Sequence, residues 1–435
     1  MDRAGKFESG GKLLITALNG RAEVYSLVGR YKEALKDYKK IVGFTGEPDK
    51  KVESFIGLGK LHQRKGNTYK ANFYYKRGLL IANKYRLKLK KAVILNGLSD
   101  VKIYESKNRD ALGYARRALF LFKNISEKGC EVKRGIAESL NSMAGVYSLQ
   151  GELKKALEFY KKSLKVRSSI DDKEGMAVNL NNIGTTYTDL REYKNALLYL
   201  KKSLRMREEI GYVQGIALSL NNIGIVFWNQ ERYKEGVSYF KESLKIQRRL
   251  GDKSGVATSL NNIGIVYKTY GRYEESFSCH KESFKIRKEI GDRFGMTINL
   301  NQMGWLHFQM GEKKRALLMS KEEGKICRKI KNEPRLMNYY SLRGNILKDN
   351  HEFRKAYSLI EKSLKISRKY SFKTDEARNL YDLARVIVLA YEEKKGFSFT
   401  LTQAKEYLIK SRDIFRNEKD KLANAGYWRV LHNCI

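Results

Sequence analysis

The sequence predicts an all-α protein built as a helical repeat array, and three observations carry that prediction. The tetrad Asn181-Asn182-Ile183-Gly184 returns at Asn221 to Gly224 and again at Asn261 to Gly264, a period of 40 residues. Self-similarity of this kind marks a stack of supersecondary units. Only two prolines, Pro48 and Pro334, interrupt 435 residues; because proline breaks helix interiors, its scarcity favours helix nearly throughout. Small and large apolar residues also recur four apart, the spacing of one helix face.

The glycine of the tetrad serves as an anchor. A small residue occupies its place at Ala22, Gly59, Ser99, Ala144, Gly184, Gly224, Gly264, Gly304, Gly344 and Ala384, which makes ten repeats. Spacing is 40 without a break from Ala144 to Ala384, 37 between the first two anchors, and 45 between Ser99 and Ala144, where residues 126–133 form a polar insertion. Residues 14–124 therefore read as irregular repeats 1–3, residues 133–330 as regular repeats 4–8, and residues 333–416 as repeats 9 and 10. A second small residue follows each anchor by twelve, as at Ala34, Ala156, Ala196 and Gly236; in the tenth repeat Ala404 arrives eight late, which predicts an insertion over 392–399. Four residues beyond the second small one stands a large one, such as Tyr38, Tyr160, Leu200 or Phe240. Each repeat is thus two amphipathic helices, A and B, and residues 1–434 are expected to form a single solenoid.

Boundaries follow from turn chemistry. Gly251-Asp252 and Gly291-Asp292 place a glycine that tolerates the left-handed conformation after helix B and a carboxylate able to cap the next helix A. Gly29, Gly66, Gly151, Gly271 and Gly311 are expected to turn the chain between A and B. The anchor glycine sits inside a helix, where it costs roughly 1 kcal/mol against alanine; a close helix crossing would offset that.

Bulk properties narrow the function. Four cysteines, Cys130, Cys279, Cys327 and Cys434, show no paired short spacing and argue for a reducing compartment. No apolar stretch of signal-peptide length opens the chain, and the longest apolar run, 386–390, is far too short to span a bilayer, so a cytoplasmic location is expected. The net charge of +39 directs attention to acidic proteins, nucleic acid or anionic surfaces.

The pattern Leu180, Ile183-Gly184, Tyr187, Ala196, Leu200 and Ser203 resembles the tetratricopeptide repeat. The 40-residue period with a Gly-Asp junction is similar to the subfamily found in spindle-orientation adaptors, kinesin light chains and the helical tails of bacterial signalling proteins. The resemblance implies a right-handed α-solenoid closed by a C-terminal capping helix over 418–434, with helix A lining a concave groove. It also implies that the residues two before, one after and four or five after the anchor point inward. On that basis the candidate peptide-binding residues are Asn182, Asn222, Asn262, Gln302, Ile225, Ile265, Trp228, Asn229, Trp305 and Phe308. An asparagine offers both a donor and an acceptor, so a ladder of them can bracket the backbone of an extended peptide. Trp228, Trp305 and Phe308 are expected to shape side-chain pockets. The first asparagine of each pair, at Asn141, Asn181, Asn221, Asn261 and Asn301, is expected to lock neighbouring repeats. The family's asparagine after the anchor is replaced by Thr185, Ile225, Ile265 and Trp305, which suggests a more apolar ligand.

Other chemistries find little purchase. A clamp for a terminal carboxylate needs lysine and arginine at the inner positions of the middle repeats, and they are missing there, so none is expected. The basic residues fall on helix B, in Lys161, Lys162, Lys165 and Arg167, in Lys201, Lys202, Arg205 and Arg207, in Lys241, Lys245, Arg248 and Arg249, and in Lys281, Lys285, Arg287 and Lys288. They are expected to form a solvated outer wall, with binding of RNA or DNA through that wall as the alternative function. Gly10-Gly11-Lys12 hints at a phosphate loop, but Leu13 stands where Ser or Thr is required. The five histidines are scattered, with His62 and His307 on packing positions. No catalytic, metal or cofactor site is expected. The sequence therefore points to a non-enzymatic scaffold or adaptor that holds an extended or helical segment of a partner protein, without membrane insertion, and that serves as the regulatory part of a signalling protein.

Overall fold

A computed structural model of the chain describes residues 3–417 apart from 28–29, 45, 106, 128 and 394–398. The expected capping helix over 418–434, Gly29, and most of the expected insertion at 392–399 lie outside the described residues. The described residues form twenty α-helices and no strand, in two compact units divided in the chain after Gln230. The architecture is an α-solenoid array of helix pairs, as the periodicity predicts.

The first unit holds α1 (Arg3–Leu27), α2 (Tyr31–Phe44), α3 (Pro48–Arg64), α4 (Thr68–Lys84), α5 (Lys88–Tyr104), α6 (Asn108–Lys123), α7 (Cys130–Leu149), α8 (Leu153–Ser168), α9 (Lys173–Asp189), α10 (Tyr193–Glu209) and α11 (Val213–Asn229). The second holds α12 (Tyr233–Arg249), α13 (Lys253–Thr269), α14 (Tyr273–Glu289), α15 (Arg293–Gln309), α16 (Lys313–Lys329), α17 (Glu333–Asp349), α18 (Phe353–Lys369), α19 (Lys373–Glu392) and α20 (Leu401–Asn417). Odd-numbered helices are the A helices and even-numbered ones the B helices. Gly10, Gly11 and Lys12 lie inside α1, so they form a helix rather than a phosphate loop.

The pairs form where the anchors predict. In the first unit Ala144, Ala156, Tyr160 and Ile183 share one buried cluster, and Tyr75, Leu95, Leu98 and Phe122 share another. In the second, Ile360, Leu380, Leu383, Ala384 and Leu408 are all essentially inaccessible to solvent. Burial of such side chains contributes about 1.5–3 kcal/mol each. Four of the B helices are also pinned to their A helices by a buried serine one turn beyond the large residue. Ser163 donates to the carbonyl oxygen of Ala137 (2.7 Å), Ser203 to that of Ala177 (2.8 Å), Ser283 to that of Ala257 (2.7 Å) and Ser363 to that of Met337 (3.0 Å).

Turns obey geometry more strictly than residue type. Gly66, Gly151, Gly271 and Gly311 follow helix A with φ between 68° and 81°, and Gly251 and Gly291 follow helix B with φ of 66° and 73°. The same left-handed position is filled by Arg191, Glu231 and His351 after helix A and by Asp171, Lys331 and Ser371 after helix B. The predicted caps form: Asp252 accepts from the backbone N–H of Gly255 (3.0 Å) and Asp292 from that of Gly295 (2.8 Å), and Asp172 does the same for Gly175 (3.1 Å). Each such cap contributes about 1 kcal/mol.

Candidate functional site

In each unit the A helices of successive repeats lie against one another, α3 with α5, α5 with α7 and α9 with α11 in the first, α13 with α15, α15 with α17 and α17 with α19 in the second. This A-helix layer carries every predicted site residue. In the first unit Asn182 projects from α9, and Asn222, Ile225 and Trp228 from α11; all four are half-buried, and Asn229 is exposed. In the second, Asn262 and Ile265 on α13 and Gln302, Trp305 and Phe308 on α15 are likewise half-buried.

The asparagines divide their work differently from the expectation that one locks the stack and its neighbour meets a ligand. Asn182 Nδ2 donates to Asn141 Oδ1 on α7 (3.1 Å), and Asn222 Nδ2 donates to Asn181 Oδ1 on α9 (2.9 Å). The second asparagine of one repeat thus binds the first asparagine of the repeat before it, and both members take part in stacking. Thr185, standing in place of the family's asparagine, turns its hydroxyl back to the carbonyl oxygen of Asn182 (2.9 Å). Trp305 and Phe308 meet edge to face at 5.7 Å and rest against the buried Ala316, Leu342 and Ile346, so part of their surface is spent on the next repeat.

Gln302 and Trp305 open onto a cavity of about 450 Å³ in the second unit. Its wall also carries Lys268 from α13, Arg335 and Asn338 from α17, and Asp375 and Arg378 from α19. Lys268 lies four residues after the anchor Gly264, an inner position of the seventh repeat, so the expectation that the middle repeats carry no lysine there does not hold. Arg335 and Arg378 come from the ninth and tenth repeats, outside the middle repeats on which the absence of cations was judged. Their signal was present as basic residues on helix A, where such residues are sparse.

One part of the expected basic wall lies inside. Arg167, Arg207 and Arg287 are 8%, 1% and 6% exposed, whereas Lys161, Lys165, Lys201, Lys241, Lys281 and Lys285 are exposed as expected. The arginines occupy the last turn of helix B and reach beneath the start of the next helix A. Arg167 Nη1 donates to Asp172 Oδ2 (2.8 Å), while Arg207 Nη1 and Arg287 Nη1 donate to the carbonyl oxygens of Gly215 and Gly295, both at 2.7 Å. Their 40-residue register, interrupted by Gln247, and the glycines eight positions later were legible in the sequence. The exposed lysines and arginines are interleaved with carboxylates, as in Arg248 with Glu282 (2.9 Å) and Lys253 with Glu289 (3.1 Å).

The histidines at packing positions do pack: His62 stacks on Tyr74 at 5.3 Å, and His307 lies 4.8 Å from Phe277 with Nδ1 2.5 Å from Glu312. Among the described residues no group of three His, Cys, Asp or Glu side chains converges as a metal site would require, and no helix is long and apolar enough to cross a membrane.

A buried acid sits behind the cavity. Glu323 on α16 is fully enclosed and accepts a hydrogen bond from Asn301 Nδ2 (3.2 Å). Desolvation pushes its carboxyl up to about 8 from the ordinary 4.5. A raised acid is protonated in the fold and ionised in the unfolded chain, so its contribution is greatest below 4.5 and declines until pH passes about 8. Glu323→Gln removes that term: thermal melts of the variant should lose less stability than the parent's between pH 5 and pH 8. Parallel pH profiles would show that Glu323 does not titrate abnormally.

Paired helices, a small residue at each crossing and a 40-residue register define a helical-repeat protein. The tetratricopeptide-repeat profile matches residues 135–209 and 215–289. Over those residues the chain carries tetratricopeptide repeats, and the helix pairs on either side of them continue the same pattern. Solved structures share the fold. A Rap protein complexed with competence and sporulation factor aligns with a TM-score of 0.59 at 11% identity, over 86% of this chain and 99% of its own. The quorum sensor NprR from B. thuringiensis, in its apo form, aligns at 0.56 and 13% identity, over 85% and 100% of the two chains. A signal-transduction ATPase with a tetratricopeptide-repeat sensor from Pyrococcus horikoshii aligns at 0.54 and 16% identity, covering 93% of this chain and 55% of that one. At these identities the likeness is one of fold. No curated protein matches the sequence at a significant level.

Proposed function

We propose that this chain is a non-enzymatic scaffold or adaptor that holds a peptide segment of a partner, extended or helical, along its A-helix layer, and that it acts as the regulatory part of a signalling protein. The observation that carries this reading is the ordered asparagine ladder. Because Asn182 and Asn222 spend Nδ2 on the preceding repeat, each amide is held in one orientation with its Oδ1 left to accept from a ligand's backbone N–H. A fixed acceptor on successive repeats suits a main chain better than any single side chain. Ile225 and Trp228 add half-buried apolar surface beside it, and Ile265 and Trp305 give the A helices of the second unit half-buried apolar surface of their own. Structural neighbours support a peptide ligand: besides the Rap complex, a Rap conjugation gene regulator of plasmid pLS20 was solved with the Phr* peptide, at a TM-score of 0.53 and 12% identity, over 83% of this chain and 97% of its own. Neither the family nor these neighbours favour nucleic acid.

The test is selection of a random twelve-residue library displayed on phage against the full chain, followed by calorimetric titration of the enriched peptide. Asn182→Ala with Asn222→Ala should weaken binding about thirtyfold, since each of the two lost hydrogen bonds contributes about 1 kcal/mol net and 1.4 kcal/mol is a factor of ten. Helicity should be unchanged. Equal affinity of parent and variant would remove the groove reading.

A further inference from the structure

The cavity in the second unit is built as an anion receptor, although the sequence offers no run of charge there. Four successive A helices supply its wall. Lys268 comes from α13, Gln302 and Trp305 from α15, Arg335 from α17, and Asp375 with Arg378 from α19. Three cations and one carboxylate leave a formal surplus of two positive charges.

That surplus is not neutralised from within the protein. Lys268 Nζ donates to the uncharged Gln302 Oε1 (2.8 Å), and among the described residues neither Lys268 nor Arg335 forms an ion pair. Asp375 lies 3.6 Å from Arg378 and so is already engaged. The Arg335 guanidinium is held 4.8 Å over the ring of Phe294, which orients it without cancelling its charge. Burial pushes the Lys268 ammonium below its ordinary range, and the charge of Arg378 adds to that effect. Half-buried cations without a counter-charge are costly to maintain. A ligand that brings the missing negative charge recovers that cost, and forked guanidinium donors match carboxylate geometry.

The volume of about 450 Å³ falls within the range of ligand clefts. A lone chain-terminal carboxylate supplies one negative charge and leaves a cation unanswered; two acidic side chains supply both. We propose that this cavity takes a pair of Asp or Glu side chains from an acidic peptide segment, with Lys268, Arg335 and Arg378 as the recognising groups. The proposal rests on the reading of the A-helix layer as a peptide groove, and it specifies the ligand's chemistry at one point of that layer.

The experiment has two arms, both at 150 mM salt so that the general attraction of a protein with net charge +39 is screened. In the first, Trp228→Phe and Trp428→Phe leave Trp305 as the sole tryptophan, and its fluorescence is followed as glutarate, a free dicarboxylate, is added. A saturable change is expected, weakened at least tenfold in K268M/R335M and retained in K241Q/K285Q, which loses the same charge from the outer wall. In the second arm, fluorescein-labelled (Glu-Ala)3 amide should bind at least tenfold more tightly than (Gln-Ala)3 amide, and K268M/R335M should erase the difference. R378Q, at an exposed arginine, provides a milder variant should the buried pair impair folding, and should show a smaller loss. A linear fluorescence response, a preference that survives K268M/R335M, or one that follows the outer-wall variant overturns the proposal, as does tight binding of the free-acid peptide alone. Glutarate binding that persists while Asn182→Ala with Asn222→Ala leaves the selected peptide unaffected would keep the anion site and remove the groove reading. Loss of the glutarate effect with intact peptide selection would do the reverse.

Discussion

Replacing Gly184 by valine should destabilise the first unit by about 3 kcal/mol, the upper part of the range for forcing volume into a packed contact. A Cβ at this position would stand 2.6 Å from Leu200 Cγ and 3.1 Å from the backbone nitrogen of Leu200. The leucine can rotate, but the backbone of α10 cannot yield without opening the α9–α10 crossing. This is the contact that offsets the cost of a glycine within a helix, as its recurrence at the anchor predicts. Gly113 provides the converse. It lies in α6 with nothing within 4 Å of an added Cβ, so Gly113→Ala should stabilise by about 0.5–1 kcal/mol through helix propensity alone. Thermal melting followed by circular dichroism, with limited proteolysis mapping which repeats open first, tests both. Equal melting of Gly184→Val and the parent would show that the crossing is not closed by the glycine.

Arg207 should separate charge from packing. Truncation to alanine is expected to cost about 3 kcal/mol, whereas Arg207→Met, which keeps the packed stem and removes a buried charge, should cost about 1 kcal/mol. The side chain is 1% exposed. Its Nη1 serves the carbonyl oxygen of Gly215 at 2.7 Å and the hydroxyl of Ser219 at 2.8 Å, while its Nε has no hydrogen-bond partner. Desolvation holds its pKa below the ordinary arginine value. Both substitutions take the donor from the carbonyl oxygen of Gly215 and the hydroxyl of Ser219, and alanine leaves a void as well. Methionine keeps the stem in place. Denaturant midpoints for the two variants, compared with Arg205→Ala on the exposed face of the same helix, give the answer. A methionine variant as unstable as the alanine variant would assign the role of Arg207 to its hydrogen bonds and charge, not to its packed stem.

Both predictions show how far periodicity carries. Gly184, Leu200 and Ser203 were placed by spacing, and the structure finds them at one helix crossing. Asp252 and Asp292 were placed by turn chemistry and do cap their helices. In contrast, Arg207 and Lys201 were assigned to one solvated face because both fall in the same basic run, yet one is buried and the other exposed. The run spans several helical turns, and a run of charge has no phase. Only the eight-residue offset to Gly215 marks the arginine that turns inward, since that glycine leaves the room it fills: an added Cβ there would lie 2.7 Å from Arg207 Cδ.

The candidate site divides along the same line. Which residues of each A helix face the inner layer is what the resemblance to the tetratricopeptide repeat implies, and on that basis Asn182, Asn222, Gln302 and Trp305 were named as candidates. How those side chains are used does not follow. The bond from Asn182 to Asn141 depends on the offset between stacked helices, and the cavity depends on it more strongly, because Lys268, Arg335 and Arg378 come from the seventh, ninth and tenth repeats. By itself, then, the sequence determined the helix pairs, their register, their crossings and the outward or inward sense of each helix face, because these are local properties of a periodic chain. Tertiary structure alone decided which charges are buried and which converge, because desolvation and proximity are set by the distance between one repeat and the next.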